Sequence, residues 1–296
     1  MAFSPSSIIL NGDIVKTGGI NLVSVFSPSF QYGLNVFEGI RGYIGDNGKP
    51  HLFLIKPHLQ RLSRSGKLLQ LIDHDIDEVV YQDIQKLLEV CPPQQDFYLK
   101  ILLGYLGEGN WSSTGNADRI LFWYPLSSSR NLSYPRSVRA AISSFQRINS
   151  NSMSPQIKCG ANYINSRLGM LAIRSTGADV PIFLGEDGFV SESSGSCIFR
   201  VVGNRIETPP ISASILPSIT RQFILSTLSQ YFPDLSFSEQ NLTRWDLYSA
   251  DEVFVVGTNV EITSISQIDQ YQIGDGSKSS PIVARLFKEF FNHIFD

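Results

Sequence analysis

Ser127-Ser128-Ser129-Arg130-Asn131-Leu132-Ser133-Tyr134-Pro135 is polar and dense in turn formers, and the texture of the chain changes across it. It reads as an interdomain connector, with an ordinary surface loop as the alternative. On its N-terminal side strands and helices alternate. Residues 8–14, 39–43 and 51–55 read as strands, and residues 98–103 and 120–123 are further strand candidates. Pro57 sits where a helix can start, because the N–H it lacks would have no partner in a first turn. Leu59, Leu62 and Leu69 give that helix an apolar face. A second helix spans residues 77–90 with Val80, Ile84, Leu87 and Leu88 turned inward, and Pro92-Pro93 stops it. On the C-terminal side hairpins dominate. Residues 182–185 and 189–192 flank Asp187-Gly188, and residues 197–202 and 205–207 flank Gly203-Asn204. Helices are expected over residues 163–175, 220–231 and 282–294. No internal repeat is evident. The expectation is an α+β chain of two domains: a small α/β domain over residues 1–125, a connector over 126–135, and a larger strand-rich domain over 136–296.

Of 296 residues, 42% are hydrophobic and 17% charged, enough apolar material for a sizeable core. The formal net charge is −3, so nothing draws the chain as a whole to nucleic acid. Short basic groups such as Arg61-Leu62-Ser63-Arg64 read first as solvated helix faces. Met1-Ala2-Phe3-Ser4-Pro5 has no basic region followed by an apolar run, so no secretory signal is expected. The apolar runs are too short to span a bilayer. Cys91, Cys159 and Cys197 are sparse, odd in number and unpaired in spacing, which suits a reducing compartment and points to the cytoplasm. No Cys or His spacing suggests a metal site.

Lys158 lies in Gln156-Ile157-Lys158-Cys159-Gly160-Ala161-Asn162-Tyr163. A lone lysine is ordinarily a surface charge. Here its neighbours are apolar or small, and Gly160-Ala161 allows close approach to the backbone. A desolvated lysine has a lowered amine pKa, which favours Schiff-base chemistry. Glu192, in Ser191-Glu192-Ser193-Ser194-Gly195-Ser196, ends a strand ahead of a small-residue turn. It could bond turn amides, or hold a ring nitrogen protonated, and the residues alone do not rank the two. Leu216-Pro217-Ser218-Ile219-Thr220-Arg221 leads into a helix that Ser218 can cap. The same helix start can bind an anion such as phosphate, and Arg61 could add a guanidinium. Gly257-Thr258-Asn259 follows a buried-looking strand and is either a ligand contact or a plain turn.

In order, Phe37-Glu38-Gly39-Ile40-Arg41, the Lys158 segment, Ser191-Glu192, Leu216-Pro217 to Arg221, and Asp251-Glu252-Val253-Phe254 with Gly257-Thr258 resemble the class IV, fold-type IV aminotransferases. The Phe-Glu-Gly-Ile-Arg string points within them to branched-chain aminotransferases. The resemblance runs from about Tyr32 to the C-terminus. It implies a larger domain built as a pseudo-barrel, pyridoxal 5′-phosphate as cofactor, a homodimer, and transfer of an amino group between an amino acid, branched-chain or related hydrophobic, and a 2-oxo acid. It implies that Lys158 carries the cofactor and moves a proton, that Glu192 pairs with the pyridine nitrogen, and that Tyr163 bonds the phenolic oxygen. Arg61, Ile219, Thr220 and Thr258 would hold the phosphate. Tyr32, Phe37, Gly39, Arg41, Tyr98, Lys100 and Asn259 would meet the substrate. Three departures stand out. Ser218 replaces a glycine, Lys100 replaces the arginine expected to bind an acidic donor's carboxylate, and Gly107-Glu108-Gly109-Asn110-Trp111 is unusually polar. Lysine keeps the charge but loses the fork, so weaker preference for glutamate is expected, unless Arg41 takes the carboxylate and Lys100 faces solvent. Alternation places Tyr98 and Lys100 on one face of their strand. The alternatives are a lyase similar to aminodeoxychorismate lyase, a D-amino-acid or amine transaminase, and a non-catalytic binding protein. The Phe37 to Arg41 string argues against the lyase, and Lys158 with Glu192 argues against the last.

Overall fold

A computed structural model describes residues 6–17, 22–274 and 281–295. Residues 1–5, read above for a secretory signal, lie outside them. The chain forms two compact units. One holds Met1–Ser128 together with Ile157–Ala161, and the other holds Ser129–Gln156 and Asn162–Ile294.

The first unit contains β1 (Ser7–Leu10), β2 (Asp13–Lys16), α1 (Pro28–Tyr32), β3 (Asn35–Ile44), β4 (Pro50–Leu52), α2 (Ile55–Leu68), α3 (Asp77–Val90), β5 (Phe97–Gly104) and β6 (Asp118–Pro125). Its sheet is ordered β2-β1-β6-β5-β3-β4, and every pairing is antiparallel. Residues 8–14, expected as one strand, are two. Asn11 and Gly12 take φ of 51° and 94° and turn the chain between β1 and β2. Asn-Gly is suited to such a turn, and that local chemistry outweighs the apolar run. The strand expected at residues 51–55 stops at Leu52, where left-handed Leu54 (φ 54°) leads into α2. Pro57 is therefore in the first turn rather than at its start. α3 matches its expected span.

Alternation divides the side chains of β3 and β5 between two faces. Val36, Ile40, Phe97, Leu99 and Ile101 pack with Leu59 and Leu62 of α2 and with Val80, Ile84 and Leu87 of α3. Phe37, Gly39 and Arg41 share the other face with Tyr98, Lys100 and Leu102, paired as Phe37 with Leu102, Gly39 with Lys100 and Arg41 with Tyr98. The Ile157–Ala161 segment lies along the start of β3. Cys159 bridges Val36, Phe37 N donates to Lys158 O (3.0 Å), and Gly160 N donates to Asn35 O (3.3 Å).

The second unit contains β7 (Arg136–Ile142), α4 (Tyr163–Ala172), β8 (Val180–Leu184), β9 (Val190–Ser193), β10 (Cys197–Val202), β11 (Arg205–Thr208), α5 (Ile219–Ser226), β12 (Ser236–Glu239), α6 (Arg244–Tyr248), β13 (Glu252–Gly257), β14 (Glu261–Ile268), β15 (Tyr271–Gln272) and α7 (Pro281–Asn292). The sheet runs β12-β11-β10-β13-β14-β7-β8-β9, with β15 on β14, and it is mixed: β11/β12, β14/β7 and β7/β8 are parallel. β13 is buried along its whole length, as its unbroken apolar run requires. The helix expected at 220–231 breaks after Ser226 into a 3-10 turn, Leu228–Tyr231. Ser226 and Ser229 hydroxyls bond back to the carbonyls of Gln222 and Leu225, a competition that disfavours a continuous helix. The helix expected at 163–175 likewise gives way after Ala172 to a 3-10 turn, Arg174–Thr176, closed by left-handed Gly177.

Gly42 on β3 faces Phe97 on β5, and a Cβ there would stand 2.2 Å from the Phe97 ring. Phe97 is fully buried and edge-on to Trp123, so it has nowhere to retreat. Gly42→Ala is expected to cost about 1–3 kcal/mol by overpacking. A urea denaturation midpoint equal to that of the wild type would show that the Phe97 layer is loosely packed.

Candidate active site

Pairing to β3 fixes the backbone of Lys158, and its N–H donates to Ser65 Oγ of α2 (3.3 Å). Lys158 Nζ lies 4.9 Å from the centroid of the Phe37 ring, and Lys100 Nζ lies 3.4 Å from the same centroid. Two ammonium groups thus share one aromatic ring, a contact each of about 0.5–2 kcal/mol. Lys100 has no carboxylate partner among the described residues. Burial, then the charge of Lys158, lowers its pKa to about 7, against a smaller opposing pull from Glu38. Lys100 is therefore half-buried on the aromatic face, not turned to solvent. Tyr98 lies across Gly39, where a Cβ would occupy its hydroxyl end, and its ring meets Tyr124 of β6 (5.4 Å). Arg41 is buried, and its Nη1 and Nη2 donate to the carbonyls of Leu126 (3.3 Å) and Ser127 (3.0 Å). It ties down the chain leaving β6. Tyr32 ends α1 and is exposed, as is Trp111 in the polar loop after β5.

Glu38 points to the helix-covered face of the sheet. Its Oε1 accepts from Arg61 Nε (2.6 Å), and its Oε2 accepts from Arg61 Nη2 (2.9 Å) and meets His58 Nδ1 (2.8 Å). All three groups are buried. Burial alone would raise the Glu38 carboxyl. The charge and hydrogen bonds of Arg61, with those of His58, outweigh it and hold the group well below the usual carboxylate range. Burial lowers His58 more than the carboxylate raises it. A neutral His58 beside this carboxylate carries its proton on Nδ1. Sequence reasoning assigned nothing to Glu38 or His58. The available signals were a carboxylate inside an apolar strand, and a His and an Arg three apart on one helix face.

The second unit holds the remaining candidates. Glu192 is buried on β9, and its Oε1 accepts from Arg147 Nη2 (2.7 Å) and Leu216 N (3.2 Å). Arg147, also buried, donates through Nη1 to Asn165 Oδ1 (3.0 Å). Its loop position in Phe145-Gln146-Arg147 carries no sequence signal, and it was missed. Ser218 caps α5, its Oγ accepting from Arg221 N (3.2 Å). The N–H groups of Ile219 and Thr220 precede any intrahelical acceptor and have no partner among the described residues. Arg221 offers no charge there. It is fully buried, bonded to Pro209 O (2.8 Å) and to Glu239. Thr258 and Asn259 occupy the turn between β13 and β14, and Gly257 abuts Gly195 and Ser196. Glu192 therefore meets the start of the 216–220 stretch, and the Gly257 turn meets the small-residue turn that follows β9. Tyr163 opens α4 and is partly exposed.

A family described as amino-transferase class IV matches residues 35–268. The branched-chain-amino-acid aminotransferase of Escherichia coli (strain K12) is 32% identical over 294 residues, covering 96% of this chain and 91% of its own. The solved structure of the Escherichia coli branched-chain enzyme is similar at a TM-score of 0.89 and 29% identity, over 98% of this chain and 95% of that one. The branched-chain amino acid aminotransferase of Thermobaculum terrenum, in its PLP-bound form, is similar at 0.87 and 29%, over 98% and 94%.

Removing the Glu38 charge strands Arg61 in the interior. Glu38→Gln is expected to lose about 3–5 kcal/mol, the usual result of breaking one side of a buried pair. Both Glu38 and His58 are depressed in the folded state, so their contribution is full above the unfolded His value of 6.5 and falls as acid protonates first His58 and then Glu38. Chemical denaturation from about pH 8 down to pH 4 reads both effects. A wild type whose stability rises on acidification over that range would contradict the assignment.

Proposed function

The chain belongs to the class IV aminotransferases, and from that premise we propose that it moves the amino group of a branched-chain or related hydrophobic amino acid to a 2-oxo acid, with Lys158 as the lysine that carries the cofactor. The enzyme is a pyridoxal-phosphate-dependent transaminase. The lyase, D-amino-acid, amine and non-catalytic alternatives are not favoured by these relatives. The observation that carries the reading is the amine of Lys158, held on β3 by paired backbone bonds and set over the Phe37 ring.

The donor set fits the cofactor. Two open N–H groups at the capped start of α5 suit a phosphate dianion, and a buried carboxylate suits a protonated ring nitrogen. When bound, the cofactor supplies the electron sink that makes a substrate Cα–H acidic. Lys158 Nζ would carry the cofactor and, once the substrate's amine replaced it there, the freed amine would take the Cα proton and return it. Glu192 would hold the ring nitrogen protonated, and Arg147 and Leu216 N keep its carboxylate in place. Tyr163 would donate to the phenolic oxygen. Ile219 N, Thr220 N and Thr258 would hold the phosphate, and Arg61, two of whose nitrogens are engaged by Glu38, is the guanidinium that the resemblance assigns to the same group. Phe37, Gly39, Tyr98 and Lys100 would form the substrate face of the first unit, and Tyr32 and Asn259 are assigned to substrate by the resemblance. Arg41, on the same face of β3, is assigned to substrate by the resemblance, and its Nη1 and Nη2 also donate to the carbonyls of Leu126 and Ser127. We further place the enzyme in the cytoplasm as a homodimer. None of its three cysteines is in a disulfide, no helix among the described residues is long and apolar enough to cross a membrane, and Val25, Phe26, Phe30 and Trp111 leave large apolar surfaces exposed.

Lys158→Ala removes both the attachment point and the proton carrier, and turnover should drop by several orders of magnitude. Near-wild-type turnover of leucine with 2-oxoglutarate would remove Lys158 from the mechanism. Glu192→Gln should keep the cofactor bound but slow proton transfer, since each unit lost from the ring nitrogen's pKa is worth about 1.4 kcal/mol. Single-turnover rates matching the wild type would assign the ring nitrogen to another partner.

A further inference from the structure

We propose that Arg147 is the positioning residue that decides where the ring proton of the cofactor rests: its charge keeps Glu192 an anion, so that the proton stays on the ring nitrogen and does not pass to the carboxylate. This rests on the reading of Glu192 as the partner of the ring nitrogen and names what enables Glu192 to act as one.

Arg147 is held in the second unit from several sides. Its backbone N–H donates to Leu184 O of β8 (2.9 Å). Its Nη1 donates to Asn165 Oδ1 of α4 (3.0 Å), and Asn165 is itself fixed by donating from Nδ2 to Gln146 O (2.9 Å). The guanidinium carbon stands 5.9 Å from the centroid of Phe183, a fully buried ring. Gly169 of α4 packs against that ring so closely that a Cβ there would lie 2.2 Å from it. Nη2 reaches Glu192 Oε1 at 2.7 Å, and among the described residues Glu192 is the only carboxylate that pairs with Arg147. Nε is buried with no hydrogen-bond partner among them.

Such a pair is a poor way to gain stability. Both charges lose their hydration, and an N–H left without a partner adds to the cost. Its effect on chemistry is direct. In a site that excludes water, a carboxylate bonded to a protonated ring nitrogen can take the proton, which leaves both groups neutral. A cation bonded to the carboxylate opposes that transfer, because it favours the anion. Arginine suits the task, since its guanidinium keeps its own proton in proteins. Leu216 N donates to the same Oε1 (3.2 Å) and favours the anion in the same direction. A proton kept on the ring nitrogen strengthens the electron sink that the cofactor supplies.

The test loads pyridoxal 5′-phosphate, isotopically labelled at its ring nitrogen, into the wild type, Arg147→Met, Arg147→Gln, Arg147→Lys and Glu192→Gln. Nitrogen NMR of each holoenzyme then reads the ring directly, since protonated and neutral ring nitrogens resonate far apart. The wild type and Arg147→Lys should give the protonated signal. Arg147→Met and Arg147→Gln should retain the cofactor but give the neutral signal. Their single-turnover rate with leucine should be at least about tenfold lower, the effect of one unit lost from the ring nitrogen's pKa, with KM little changed. A protonated signal in either neutral variant, or a neutral signal in Arg147→Lys, overturns the proposal. Loss of the cofactor from both neutral variants also overturns it, because Arg147 would then be a scaffold residue only. Glu192→Gln tells the two readings apart. If its ring signal matches the wild type, the assignment of Glu192 fails and this inference with it. A changed signal there, with an unchanged one in Arg147→Met and Arg147→Gln, sinks this inference alone.

Discussion

Two backbone hydrogen bonds, Phe37 N–H to the Lys158 carbonyl and Gly160 N–H to the Asn35 carbonyl, place a segment distant in sequence alongside the first residues of β3. Side-chain bonds alone could be made and lost as rotamers change. A main-chain pairing fixes the Lys158 Cα to a strand that is buried and paired on both sides. The amine then depends on one flexible stem only, and its position over Phe37 follows from where that strand runs. A group that must act at a defined atom is better placed by a rigid element than by a loop.

The two-residue period of β3 then separates two kinds of charge. Glu38 faces the helices and forms, with Arg61 and His58, a buried group in which ion pairing outweighs burial at the carboxylate and burial outweighs pairing at the imidazole. Phe37 and Gly39, its neighbours, face the other way, where the amines of Lys100 and Lys158 lie against the Phe37 ring. The strand's alternation thus sets the Glu38 carboxylate and the two amines on opposite faces of the sheet.

Local chemistry made much of this legible beforehand. α3 was readable because its apolar spacing and the prolines after it agree, and Lys158 and Glu192 stood out because each sits in an unusual run of small residues. The turn at Asn11-Gly12 was missed because an apolar run masked a tight-turn pair, and the early ends of α4 and α5 because hydroxyl and glycine effects are weaker signals than periodicity. Glu38 with Arg61, and Arg147 with Glu192, were invisible for a different reason. Each pair joins residues 23 or 45 apart, and nothing in either local stretch names its partner. Arg41 shows the converse: its place in the sequence suggests a carboxylate ligand, while its contacts are carbonyls that end a strand.

Two lysines stand over Phe37, so which amine bonds the cofactor is a real choice. Borohydride reduction of the holoenzyme followed by proteolysis and mass spectrometry decides it. The phosphopyridoxyl group should be found on the peptide containing Lys158 and on no other. Stoichiometric label on Lys100, or on any lysine other than Lys158, would contradict the assignment.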